Sequence, residues 1–301
     1  FALVAPAVVG LIPQVVDAAR LQSANALLSL AHSSALLMGG AAAGLVVAFA
    51  GGGSNVAGAG WAVALDAVTF ATTAWLVARV RARPQTRAAH EAATTFVRGL
   101  AEGWDEFRSH RWLWTIVAQW TLVLTGYLAG MSVVGPIVAE RSLGGPRAWG
   151  AISAALGLGL LVGGLVAMRT AIRRPLFVGT LCVFAFALPL ALLAVEAPVA
   201  AIAAGAFLAG LGQELFAVLW YTSLHTHVAP DKLSRVSAWD SLGSVGLAPF
   251  GQLAAGLLIG AIGIPSTLWI GVGLVVVPTA LVLCVPEVRR LEMGRPLEPA
   301  P

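Results

Sequence analysis

Long apolar runs, broken by short clusters of glycine, proline and arginine, divide the chain of 301 residues. A helix needs about 20 apolar residues to cross the hydrocarbon core of a bilayer. Eight stretches qualify: 21–50, 59–80, 111–138, 147–169, 175–195, 199–223, 233–261 and 266–286, and residues 1–13 read as the tail of a ninth. The breaks carry turn chemistry: Gly51-Gly52-Gly53-Ser54-Asn55, Gly144-Gly145-Pro146, Arg174-Pro175, Ala197-Pro198, Ala229-Pro230 and Ile264-Pro265. The long connection 81–110 has its own pattern. Phe96, Leu100, Trp104 and Phe107 recur at helical spacing opposite Arg98, Glu102, Asp105, Glu106 and Arg108. That predicts an amphipathic helix, either on a membrane surface or as a solvated linker.

Composition agrees. The chain is 58% hydrophobic and 11% charged, with mean hydropathy +0.87, whereas soluble domains run at about 25% charged. The lipid bilayer is therefore the expected solvent and partner. Alternating spans place 16 of the 18 basic residues on one side, with only Arg141 and Arg147 on the other. The excess of arginine assigns the first side, with the 81–110 loop and the carboxyl terminus, to the cytoplasm. Because the arginines sit in short loops between spans, the pI near 9.8 is no sign of a nucleic-acid partner. Cys182 and Cys284 have no metal spacing and imply no disulfide framework; both read as small buried hydrophobes. Seventeen arginines to one lysine suggest a GC-rich bacterial source. The chain opens at Phe1 in apolar sequence with no signal-peptide pattern, which reads as a fragment lacking its amino terminus.

An internal repeat supports duplication. Shifted by 212 residues, segment 21–51 aligns with 233–263 at ten of 31 positions, including Gly39 with Gly251 and Ala42-Ala43-Gly44-Leu45 with Ala254-Ala255-Gly256-Leu257. Chance similarity in an Ala/Gly/Leu-rich chain is the competing explanation. Duplicated multi-helix units are common in secondary transporters. By this offset about 100 residues, some three spans and most of a fourth, precede the present start. Gly40…Gly44, Gly126…Gly130, Gly159…Gly163 and Gly256…Gly260 are small-xxx-small pairs that predict close helix approach. Pro136, Pro189, Pro249 and Pro278 predict kinks.

Several segments carry a family resemblance: Val218-Leu219-Trp220-Tyr221-Thr222, Leu233-Ser234-Arg235-Val236-Ser237-Ala238-Trp239-Asp240, Leu247-Ala248-Pro249-Phe250-Gly251, Leu21 to Leu27, Gly135 to Arg141 and Glu102 to Arg108. Over nearly its whole length the chain resembles bacterial major facilitator superfamily transporters of the enterobactin-exporter-like and macrolide-efflux-like branch. Leu224-His225 stands where that branch has Leu-Gln. The resemblance implies an all-α integral membrane protein with a truncated major facilitator fold: eight full transmembrane helices plus a partial one, helices 4 to 12 of 12. Residues 1–80 would be the remainder of the first bundle (helices 4–6), 81–110 a cytoplasmic linker, and 111–301 the second six-helix bundle (helices 7–12). Helices 4, 7 and 10 would line a central cavity, and 5, 8 and 11 the interface between halves.

Charged groups inside a bilayer are costly and need an account. Glu214 lies deep in its span, and Phe207, Glu214 and Tyr221 recur every seven residues on one helix face, expected to face the cavity. Glu214 reads as a protonatable coupling or substrate-cation residue, or as a structural interhelical acid. Asp240 reads as a structural acid that caps a neighbouring helix or pairs with Arg235 or Lys232, with gating as the alternative. Asp66 reads as snorkelling to outer water. His32 reads as a proton-exchanging residue or as a hydrogen-bonded packing residue. Gln119, Trp120 and Tyr127 offer contacts to an amphipathic substrate or pack between helices, and Trp112 and Trp114 read as an interfacial aromatic belt.

The function expected is secondary active transport: proton-coupled efflux of small hydrophobic or amphipathic molecules by alternating access, in the bacterial plasma membrane. The protein is expected to be a monomer with no cofactor, using a proton gradient as its energy source. An intramembrane enzyme is disfavoured, since no His-Glu-x-x-His or Gly-x-Ser-x-Gly pattern occurs. A non-transporting remnant of such a permease, or a metabolite importer of the same superfamily, are the alternatives.

Overall fold

The computed structural model describes residues 11–13, 15–17, 20–32, 34–35, 55–79 and 96–292. All regular structure among them is helical. After a helical stretch at 21–32 come α1 (Asn55–Arg79) and α2 (Phe96–Ser109). Six helices among the described residues are long and apolar enough to cross a membrane: α3 (Arg111–Ser142), α4 (Arg147–Arg169), α5 (Pro175–Ala194), α6 (Val199–His227), α7 (Leu233–Ile262) and α8 (Ile264–Leu283). A short α9 (Pro286–Arg290) follows. The expected spans from residue 111 onward all appear, α6 running on to His227. Span 59–80 corresponds to α1, whose described side chains are all exposed. Most of span 21–50, with Gly40…Gly44 and the first copy of the repeat beyond residue 35, lies outside the described residues, as do 1–10 and 80–95.

Three of the four prolines follow a break in α geometry. Proline has no N–H, and its ring clashes with the carbonyl four residues earlier. The helix therefore widens to a π turn over Ala129–Val134 before Pro136, tightens to a 3₁₀ turn over Phe184–Phe186 before Pro189, and breaks into a turn at 246–247 before Pro249. Pro278 sits inside continuous helix.

Lipid supplies no hydrophobic force between helices, so close packing must hold the bundle. At Gly159 a Cβ would run into the Phe207 carbonyl, at Gly163 it would lie 2.7 Å from the Leu211 carbonyl oxygen, and at Gly210 it would meet the Leu156 carbonyl. These three glycines let the backbones of α4 and α6 touch. Gly126 approaches Gly271 of α8 in the same way. Gly256 and Gly260 have no heavy atom near a would-be Cβ among the described residues, so that pair makes no seam with a described helix. Trp112, Leu113, Ile116, Phe186, Leu190, Ile202, Leu224, Leu268 and Val275 fill the core between α3, α5, α6 and α8. A smaller cluster joins Ala26 of the 21–32 stretch to Ala167 of α4 and to Leu215 and Val218 of α6. Asn25 secures that junction, donating to Thr222 Oγ1 at 3.1 Å and lying 3.0 Å from His225 Nδ1.

Candidate binding cavity

Three helices enclose a cavity of about 210 Å³. On α6, Gln213, Phe216, Ala217, Trp220 and Tyr221 follow the spacing of one helical face. α3 adds Ile116, Val117 and Trp120, and α7 adds Asp240, Ser241 and Ser244. The rings of Trp120 and Phe216 stack at 4.5 Å and 18°, and Phe216 lies 6.3 Å from Trp220 at 7°, so three rings form a nearly parallel wall. Trp112 supports Trp220 from behind, edge-on at 5.7 Å.

Asp240 is 6% exposed. Trp220 Nε1 donates to its Oδ2 at 3.1 Å, and Ser244 Oγ donates to its Oδ1 at 3.1 Å. Both partners are neutral. The pairing with Arg235 or Lys232 expected from sequence does not occur, because both cations turn away to α2. Lys232 Nζ donates to Glu106 at 2.7 Å, and Arg235 pairs with Glu102. Gly103 allows that approach: a Cβ there would lie 2.9 Å from the Arg235 Cβ. Trp104 packs against Trp239 with ring centroids 4.9 Å apart and planes tilted by 55°, and Phe107 is buried in the core. The amphipathic helix is thus docked on α7 through both its polar and apolar residues. Partial burial pushes the Glu106 carboxyl up, but Lys232 and His110 outweigh it and hold it below its ordinary value. The hydrogen bond and charge of Glu106 raise Lys232 in turn.

The other sequence candidates fall elsewhere. Glu214, 3% exposed, and half-buried Phe207 lie on the α4 seam: a Cβ on Gly163 would lie 2.8 Å from the Glu214 Cβ, and Leu30 of the 21–32 stretch comes close beside Gly164. The heptad face expected to meet the cavity is therefore turned toward α4, and only Tyr221, at its edge, reaches the lining. Gln119 donates to Thr279 Oγ1 of α8 at 3.0 Å, and Tyr127 packs edge-on to Phe186 at 4.7 Å. His32 is exposed at the end of the 21–32 stretch, and Asp66 is exposed on α1. Trp112 is a core residue at 1% exposure and not part of an interfacial belt, while Trp114 is exposed. Cys182 is half-buried and Cys284 exposed, so neither is the fully buried hydrophobe expected.

Sequence reasoning missed Gln213, Phe216, Ser241 and Ser244. The usable signal was local: Asp240 and Ser244 stand one turn apart, and Ser241 adjoins Asp240. No family model matches the chain, and no curated protein matches it. Fold and site together define an all-helical bundle of the membrane-embedded kind, with an aromatic cavity that holds one buried acid.

Proposed function

We propose that the protein is a secondary active transporter of the major facilitator type. It exports small hydrophobic or amphipathic molecules by alternating access, coupled to a proton gradient, as a monomer in the bacterial plasma membrane. The arginine distribution supports a cytoplasmic carboxyl terminus and a cytoplasmic α2. The observation that carries the reading is Asp240, a buried carboxylate between neutral donors on an aromatic cavity bounded by three spans. Intramembrane acids in such a setting mark substrate or proton paths. Apolar and aromatic walls with few polar groups suit amphipathic ligands. Glu214, against the α4 glycines, is the second acid of the path.

Reconstitution of the full chain in proteoliposomes with an imposed pH gradient tests this, with a fluorescent amphiphile such as Hoechst 33342 as cargo. Gradient-driven flux is expected, lost in Asp240→Asn and reduced at least tenfold in Glu214→Gln. Absence of gradient-driven flux for the whole chain refutes transport. Flux unchanged in both variants refutes the proton path.

A further inference from the structure

We infer that the cavity recognises a cation joined to a flat aromatic group, with Asp240 as its counter-charge. The inference rests on reading this cavity as the substrate site. Three observations carry it. First, both Asp240 oxygens accept hydrogen bonds from neutral donors, Trp220 and Ser244. Neutral donors of this kind leave the charge of an ionised carboxylate uncancelled. A carboxylate offers about four acceptor positions, so two donors leave room for a further partner.

Second, among the described residues no lysine, arginine or histidine lines the cavity. The basic residues nearest along α7, Lys232 and Arg235, are engaged by Glu106 and Glu102. An anionic ligand would meet Asp240 with nothing in the lining to balance it, and a neutral one would leave the buried charge uncompensated. Third, the wall beside the acid is built of Trp120, Phe216 and Trp220 at nearly parallel tilt, with Tyr221 next to them. Indole faces attract cations most strongly among the aromatic side chains, and the same flat wall takes a ring by offset stacking. The cavity of about 210 Å³ is below the roughly 300–1,000 Å³ of drug-sized pockets. That favours a group of one or two rings at this position.

The test is isothermal titration of the full chain in lipid nanodiscs at pH 7.5 with three two-ring probes: 1-methylquinolinium, a permanent cation; quinoline, its neutral isostere; and 1-naphthoate, an anion. The cation is expected to bind at least tenfold more tightly than the other two. Asp240→Asn should erase that preference, and Asp240→Glu should retain most of it. Equal binding of the three probes, or a preference that survives Asp240→Asn, overturns the inference. If Asp240→Asn fails to fold, Trp120→Leu leaves the acid in place and is expected to weaken the cation at least fivefold; unchanged affinity then overturns the inference. Charge-selective binding without gradient-driven flux would remove the transport reading and leave this one standing. Flux without charge selectivity would do the reverse.

Discussion

Alanine at Gly163 probes the α4–α6 seam directly. Its Cβ would sit 2.7 Å from the Leu211 carbonyl oxygen and 2.8 Å from the Glu214 Cβ. Comfortable carbon contacts begin near roughly 3.5 Å, so the two helices must part by about 0.7 Å. The first obstacle is backbone, which no rotamer change relieves. A gap of that size forfeits about a quarter to a half of each contact's attraction, and each heavy-atom pair contributes about 0.1–0.2 kcal/mol. With on the order of twenty atom pairs across the seam, the loss is roughly 1 kcal/mol. Replacing glycine also changes the helix propensity by up to about 1 kcal/mol in the opposite sense. Gly256→Ala isolates that term, because no described residue lies within 4 Å of its would-be Cβ. Equilibrium unfolding in mixed detergent should therefore place Gly163→Ala about 1 kcal/mol below Gly256→Ala. Equal stability of the two variants, or a less stable Gly256→Ala, would refute the seam.

The docking of α2 has a pH window. Glu106 is lowered from 4.5, so its contribution is present above that value and is lost as pH falls through the lowered one. Lys232 is raised from 10.5, so its contribution is present below that value and disappears as pH rises through the raised one. Amide hydrogen exchange in α2 should accelerate at both extremes, and Glu106→Gln should accelerate it at neutral pH; exchange indifferent to the substitution refutes the ion pair as the anchor. Between α3 and α8, Gln119 and Thr279 share one hydrogen bond while Gln119 Oε1 is buried with no partner among the described residues. A double-mutant cycle of Gln119→Leu and Thr279→Val should give a coupling of about 0.6 kcal/mol, the usual size for such bonds in membranes. A coupling of zero would show that the bond does not form.

The six spans from residue 111 onward were legible because their length and their Gly/Pro borders are local properties. Pro136, Pro189 and Pro249 likewise announced their breaks, since the clash with the preceding turn needs no tertiary context. The cavity was not legible. α6 is apolar on every side, so its sequence holds no face that periodicity can distinguish. The polar Glu214 therefore drew attention to a stripe that in fact meets the glycines of α4. The partners of Asp240 were equally hidden. Arg235 lies within two turns of it on its own helix and Lys232 just before that helix begins, yet their carboxylates come from α2, more than 120 residues earlier. Gly256…Gly260 shows the same limit: a small-residue pair reports permission to pack, and only a neighbouring helix makes use of it.

The clustering of indoles has a practical consequence. Of ten tryptophans, five fall in two ring clusters: Trp112, Trp120 and Trp220 with Phe216 at the cavity, joined at 4.5–6.3 Å, and Trp104 and Trp239 with Phe107 at the α2 contact, joined at 4.9–5.7 Å. Half of the chain's tryptophans therefore report on the cavity and the α2 contact. The unlabelled protein carries its own optical gauge there, with Trp220 bonded to the acid itself.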